Sequence, residues 1–552
     1  MVRTKISLLL AVVCVMSLSI TVQAATIYVP DDYLAIQDAI DAAASSDAIV
    51  VRPGTYFESI DFNGKDIALK SEQGPEVTTI DGGSLGSVVT FQSAETLDAI
   101  LEGFTVTNGI GSATGGWGLS GGGIFCENAS PTITGNLITG NDADYGGGGA
   151  WRYSSALITR NRFSNNTASQ VGGGLRLYHS AGIVEENLIF DNKTEGGGGI
   201  EAAWCTTDII NNTITDNDTS DAGGGISCFH CACTMTGNSI SGNSAGSFSW
   251  VGSGGGLELS GGTYTLSNNV IIANEATDGF YGGPYGGGIY CNGAGVTIIH
   301  CIIAFNAVVK SYASKGGGVY CNANSAVQIV NSILWQNSAQ EGPEIWVGNT
   351  TYPSSASISY SDLRGGSQSV HVEAGSPFDP GPGLIDEDPL FVDAAAGDYH
   401  IFFDSPCRDT GDSSFPGLPD HDFEGDPRVA GSQTDMGVDE FHRHLYYVGT
   451  AIPGRKIEVK VVGEPLTAPI TLVTSDIYST EPLYSTLYGN LYLEPPLTTQ
   501  VDTPGIPADG VRVFKPSVPQ TSTAGETFPY QVLVGPEVAG SKLTNLMVIT
   551  VE

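Results

Sequence analysis

The phrase "SGGGIFCENASPTITGNLITGN" at 120–141 returns in seven further copies. Aligned on one apolar slot, the copies put Ile133, Ile158, Val184, Ile209, Met235, Leu266, Ile298 and Ile329 in file. Five residues on stand Ile138, Phe163, Ile189, Ile214, Ile240, Ile271, Ile303 and Leu334. Eight on, every copy has asparagine: Asn141, Asn166, Asn192, Asn217, Asn243, Asn274, Asn306 and Asn337. A further file, Asn136, Asn161, Asn187, Asn212, Asn238 and Asn269, ends in Cys301 and Ser332. The period is 25 or 26 residues early and 31 or 32 later. A repeat of this kind sets the architecture before any other feature is weighed.

The segments between turn signals are too short for ordinary helices. They alternate and are rich in Ile, Val and Thr, so they predict strands of about 3–5 residues. Several short strands per repeat, one repeat per coil, gives a parallel β-helix. Each coil then lies about 4.8 Å from the last, and identical slots touch. Inward Ile, Val and Leu stack into a core. Asparagine is expected both to take the left-handed backbone of a turn and to bond the next asparagine in the stack. Glycine triplets, taken as Gly121–Gly123, Gly147–Gly149, Gly172–Gly174, Gly197–Gly199, Gly223–Gly225, Gly254–Gly256, Gly286–Gly288 and Gly316–Gly318, mark one edge of the solenoid. Asn-x-Ser/Thr matches such as Asn211-Asn212-Thr213 follow from the ladder and are not read as glycosylation sites.

Arg3 and Lys5 precede an apolar run from Ile6 to Ile20, followed by Val22-Gln23-Ala24. This pattern predicts a signal peptide, residues 1–24, cleaved after Ala24, and a protein that is secreted or displayed at the cell surface. No later stretch is long and apolar enough to span a bilayer. The formal charge of the chain is −37, and loss of the leader leaves about −39. Such a charge argues against nucleic acid and anionic membranes as partners.

Exposed core at each end of a solenoid needs a cap. "DDYLAIQDAIDAAASSD" (31–47) sets Leu34, Ile36, Ile40 and Ala43 near helical spacing and predicts an amphipathic cap helix. Residues 26–83, "TIYVPDDYLAIQDAIDAAASSDAIVVRPGTYFESIDFNGKDIALKSEQGPEVTTIDGG", resemble the opening segment of right-handed parallel β-helix proteins of the pectin-lyase-like superfamily. Residues 384–441, with "DEDPLFVDAAAGDYHI", "DSPCRDTGD" and "DFEGDPRVAGSQTDMGVDEF", resemble the closing segment of secreted bacterial proteins of the choice-of-anchor Q group. The resemblance implies a right-handed solenoid and export. It implies no single reaction, because that superfamily holds lyases, hydrolases, adhesins and proteins of no known activity. Its polygalacturonase-like branch carries paired aspartates, Gly-His-Gly and Arg-x-Lys. Here the only Asp-Asp is Asp31-Asp32, in the cap, and the only Arg-x-Lys is Arg3-Thr4-Lys5, in the leader. The basic residue beside calcium carboxylates that pectate-lyase-like enzymes need is not evident in the coils.

Candidate site residues come from the residue two after each triplet, which alternation points outward. That row reads Phe125, Trp151, Arg176, Glu201, Ser227, Glu258, Tyr290, Tyr320, and two further on come Glu127, Tyr153, Tyr178, Ala203, Phe229, Ser260, Asn292 and Asn322. Aromatic faces stack on sugar rings, although aromatics also suit strands on their own account. Three longer coils insert before the triplet and should raise a wall bearing Trp250, Phe280, Tyr281, Tyr285 and Tyr312 beside that row. Glu201 and Glu258 share a slot two coils apart, roughly 9–10 Å, near the carboxylate gap of an inverting glycosidase, with Arg176 one coil from Glu201. "CFHCAC" (228–233) suggests a zinc box with His230. Alternation instead turns Cys228 inward with Cys126, Cys291 and Cys321, and sets Cys231 in the slot of Cys205, at a spacing a disulfide could bridge. Asp216, Asp218 and Asp221 on one turn, and Asp420, Asp422, Glu424 and Asp426 on another, are oxygen-rich loops that suit calcium; no cofactor is required otherwise.

From about 445 the repeat stops, and alternating runs separated by Pro/Gly turns predict a small all-β, sandwich-like module. It carries no sorting motif or membrane tail. The reading is an all-β chain: signal peptide 1–24; β-helix 25–441 (cap segment 26–83, regular coils about 84–366, closing segment 367–441); C-terminal module 442–552. It is expected to be a monomer that binds a polysaccharide or other surface polymer. A polysaccharide-degrading enzyme, either lyase or inverting hydrolase, and a structural or adhesive surface protein stay open as rivals.

Overall fold

The computed structural model describes residues 24–114, 118–246, 252–277, 284–309, 314–349, 351–402, 404–429 and 431–441, and the backbone of strands between 444 and 550. Among these, three sheets of 24, 12 and 9 strands run the length of the coils. Between 124 and 309 each coil contributes strands to the first sheet, such as Ile124–Glu127 and Thr132–Thr134, then one such as Leu137–Thr139 to the second and one such as Asp142–Tyr145 to the third. In two coils the first-sheet pair fuses into the single strands Ile226–Thr236 and Leu257–Ser267. Pairing between coils is parallel, and equivalent slots lie over one another: Ile133 on Ile158, Val184 on Ile209, Leu266 on Ile298.

The asparagine files lie inside. Asn141 Nδ2 donates to Asn166 Oδ1 at 3.0 Å, and the same bond is repeated at 2.9–3.0 Å through Asn192, Asn217, Asn243, Asn274, Asn306 and Asn337. Each amide also reaches the preceding coil, as Asn166 Nδ2 does to the Ile138 carbonyl at 2.9 Å. The side chain thus joins three coils and leaves none of its buried polar atoms unsatisfied. The file ends on a carboxyl: both the backbone N–H and Nδ2 of Asn337 donate to Glu344. The expectation that ladder asparagines take the left-handed turn is corrected. The positive φ falls on the residue before each, for example Arg160 (55°), Asn165 (54°) and Asp191 (53°). That residue turns the corner and frees the asparagine to point inward.

The glycine edge holds a second correction. Residues 146–149 are four glycines, and Gly146, at φ 68°, takes the place of Gly121 at 65° and Gly172 at 73°. The triplet is therefore Gly146–Gly148, one residue earlier than expected, and Gly149 opens the strand. Trp151 then pairs with Cys126 and Leu177 in the inward file and is fully buried, not displayed. A Cβ on Gly149 would lie 2.6 Å from the Trp151 ring, so the indole fills the room left by the missing side chain. Close approach explains the triplets: a Cβ on Gly122 would stand 2.3 Å from the Gly147 carbonyl of the next coil.

The cap helix spans Ile36–Ala42, with Ile36, Ala39 and Ile40 buried in the core of the first coils. Leu34, expected on its apolar face, precedes the helix and is 84% exposed. The closing segment lies along the side of the solenoid. Tyr399, Ile401, Met436, Val438 and Phe441 pack on Val270, Ile302 and Ile333 of the second sheet, and Asn331 and His300 bond to Asp412 and Gly437. Beyond it, strands His444–Val448, Glu458–Val462 and Val511–Phe514 pair antiparallel, as do Ile470–Thr474, Thr498–Thr503 and Thr527–Val534.

Candidate functional site

The outward row of the first sheet, corrected in register, runs Phe125, Ala150, Arg176, Glu201, Ser227, Glu258, Tyr290, Tyr320, Trp346 and His371. Its floor is not uniformly open: Arg176, Glu201, Tyr320 and Trp346 are buried, whereas Ser227, Glu258 and Tyr290 are half-buried. Arg176 Nε donates to Glu201 Oε2 at 3.1 Å, and its guanidinium lies 4.3 Å from the Tyr145 ring centroid and 5.3 Å from that of Tyr178. Burial lifts the Glu201 carboxyl to about 7, although Arg176 pulls the other way. Glu258 is held differently. The Ser227 hydroxyl donates to one oxygen at 2.8 Å and the Ser260 hydroxyl to the other at 2.9 Å. Burial raises this carboxyl as well, against the two hydroxyls. The structure thus sets Glu201 and Glu258 in one row with Ser227 between them, but it turns Glu201 to Arg176 and leaves Glu258, half-buried, to two serine hydroxyls.

Beside the first coils of this row lies an aromatic patch. Tyr153, His179, Trp204 and His230 occupy one slot in four successive coils, each with φ between 49° and 54°. Successive rings are 5.3, 5.5 and 6.1 Å apart between centroids and parallel within 19°. Tyr178 and Phe229 stand nearly perpendicular to them, Tyr178 at 82°, 88° and 80° to Tyr153, His179 and Trp204, and Phe229 at 85° and 77° to Trp204 and His230. Parallel rings hide part of their faces on one another; the two crossed rings keep faces that the stack does not cover. Tyr153, Trp204 and Phe229 are exposed by 49%, 45% and 42%. Of the sequence candidates, Tyr153 and Tyr178 belong to this patch. The sequence reading passes over His179 and Trp204 and takes His230 only as a zinc candidate, although each stands five residues before the aligned apolar slot, as Tyr153 does.

A second stack continues the floor row: Tyr290 on Tyr320 at 5.6 Å, Tyr320 on Trp346 at 6.0 Å, and Trp346 on His371 at 3.7 Å, with Tyr285 4.8 Å from Tyr320. Lys315 Nζ sits 4.0 Å from the Trp346 ring centroid. Trp250, Phe280, Tyr281 and Tyr312 lie outside the described residues.

Cys205 and Cys231 are buried neighbours in successive coils, the Cys205 N–H donating to Cys231 Sγ at 3.3 Å, and both are free thiols. Asp216, Asp218 and Asp221 do not converge on one point. Among the described residues, the group of possible ligands within 4.8 Å of one another is His400, Glu424 and Asp439, in the closing segment. There His400 Nδ1 meets Asp398 at 2.5 Å and Nε2 meets Glu424 at 3.2 Å. Burial opposes the imidazolium, but Asp398 and Glu424 hold its proton to about 11. Asp422 turns its oxygens to the backbone N–H groups of Glu424, Asp426 and Glu440.

Residues 79–271 match the family described as a right handed beta helix region. The parallel pairing of successive coils agrees with that match. Among solved structures, the chain is similar to the PL6 family alginate lyase AlyGC, with 14% identity and a TM-score of 0.34 over 78% of this chain and 61% of the lyase. No curated protein matches the chain.

Proposed function

We propose that this protein is exported and binds an extended polysaccharide along the outer face of its first sheet. The observation that carries the reading is the crossed aromatic patch of Tyr153, Tyr178, His179, Trp204, Phe229 and His230, contiguous, half-exposed and set at the strand ends of successive coils. A contiguous exposed aromatic surface on a rigid scaffold marks an interaction site. The acidic chain, at −37, fits a neutral or cationic polymer better than a polyanion. Screening the purified protein on a polysaccharide panel by affinity electrophoresis tests this: retardation on one polymer, abolished by Trp204→Ala, supports it, and no retardation on any polymer sinks it.

A second reading, hydrolysis, rests on Glu201 and Glu258 in one row at roughly 9–10 Å. The Arg176 pair on Glu201 counts against it. Release of reducing ends by the wild type, lost in both Glu201→Gln and Glu258→Gln, would favour the enzyme over the binder.

A further inference from the structure

The outward row of the first sheet contains a carboxyl without a cation among the described residues. Glu201 is neutralised by Arg176. Glu258, one slot beyond Ser227, has no basic partner among the described residues, and Asp221 adds to the negative field around it. Its two oxygens are nonetheless fixed, one by Ser227 and one by Ser260. The neighbour in the next coil is an aromatic ring, Tyr290, followed by Tyr285 and Tyr320. The far end of the same stack shows what such rings accept: an ammonium, that of Lys315, lies over Trp346. A carboxylate beside aromatic faces is the usual chemistry for holding an ammonium group, through charge and through the ring quadrupole.

We propose that Glu258, Ser227 and Tyr290 form an ammonium subsite on the outward row of the first sheet, and that the polymer it selects carries free amino sugars. The inference rests on the polysaccharide-binding reading and names the ligand class for it. The aromatic patch grips the chain irrespective of amine state, and the subsite distinguishes a free amine from an acetylated one. An amide has no charge for Glu258 to neutralise.

The test uses the full chain and two probes, a glucosamine hexasaccharide and its fully N-acetylated counterpart, in calorimetric titrations at a pH where the amine is charged. The expected result is tighter binding of the free-amine probe. Glu258→Gln should weaken that probe by about tenfold or more and leave the acetylated probe unchanged, while Trp204→Ala weakens both. Because Glu258→Gln removes one charge from a chain of −37, general attraction between an acidic protein and a polycation cannot produce that difference. Equal affinity for the two probes, or a free-amine affinity untouched by Glu258→Gln, overturns the subsite while the platform stands. Binding of neither probe overturns the subsite; the platform falls only if the wider panel also shows no binding.

Discussion

The asparagine file and the aromatic file are made by the same operation: one slot copied from coil to coil at strand spacing. They differ in where their bonding capacity goes. Each asparagine spends its amide on the coils above and below and is buried to within 7% exposure. The aromatic rings satisfy one another in part, through parallel and crossed contacts, and still leave Tyr153, Trp204 and Phe229 over two-fifths exposed. A slot that closes on itself is scaffold; one that stacks and still has surface left can take a ligand. The two tryptophans near the start of the coils illustrate this. Trp151 fills the space over Gly149, and Trp204 stands at a corner between two histidines.

The largest expected effect comes from erasing the first of these. Trp151→Ala empties a core position and should cost about 3–5 kcal/mol, read as a fall in the urea midpoint. If it instead abolishes polymer binding at unchanged stability, the inward register is wrong. Asn217→Ala should come next, at about 2–4 kcal/mol. It removes the acceptor for Asn192 Nδ2 and the donor to the Ile189 carbonyl, and buried groups left unmade cost about 1–3 kcal/mol each. A loss below about 1 kcal/mol would mean that water enters the file.

Much of this was legible because a parallel solenoid turns a sequence alignment into a list of spatial neighbours. The apolar slots, both asparagine files and the Glu201–Ser227–Glu258 row lie where the alignment puts them. What failed was local. Four glycines at 146–149 fit two registers, and a shift of one residue turns Trp151 from the face to the core. The left-handed residues of the turns are Arg160, Asn165 and Asp191 as readily as glycine, so no residue type announced them. The patch is half-legible because alternation along a strand does not reach its corner: Trp204 comes one residue after the strand Ile200–Ala203, and His230 takes the same slot inside the fused strand Ile226–Thr236, where a positive φ breaks the alternation. The closing segment left a signal that went unused: Val270, Ile302 and Ile333 take outward slots of the second sheet held by Leu188, Thr213 and Ser239 in earlier coils.

A smaller effect should appear where the asparagine file ends. Burial lifts the Glu344 carboxyl from 4.5 to about 7, against the bonds from Asn337. The folded state therefore holds this proton more tightly than the unfolded chain, so its contribution is complete below about pH 4.5 and is lost as pH rises to about 7. Glu201, Asp362, Asp435 and Asp439 are lifted to about 7 by burial and act in the same direction. Urea midpoints should fall between pH 5 and pH 8. Glu344→Gln should make that fall shallower by on the order of 2 kcal/mol, whatever its absolute stability. An unchanged slope would place the end of the file on a carboxylate that stays charged.

The smallest effect on stability, and the most informative for the comparison, is expected from Trp204→Ala. The indole touches four rings, those of Tyr178, His179, Phe229 and His230. It is 45% exposed, so its removal frees little buried space and should cost about 1 kcal/mol. Polymer retardation should nevertheless disappear, because the alanine breaks the patch between Tyr178 and Phe229. A loss of 3 kcal/mol or more with binding intact would put the aromatic file in the same class as the asparagine file, a scaffold element that happens to lie at the surface. The outward row at Glu258 would then have to carry recognition alone, and Glu258→Gln in the Trp204→Ala background would show whether it does.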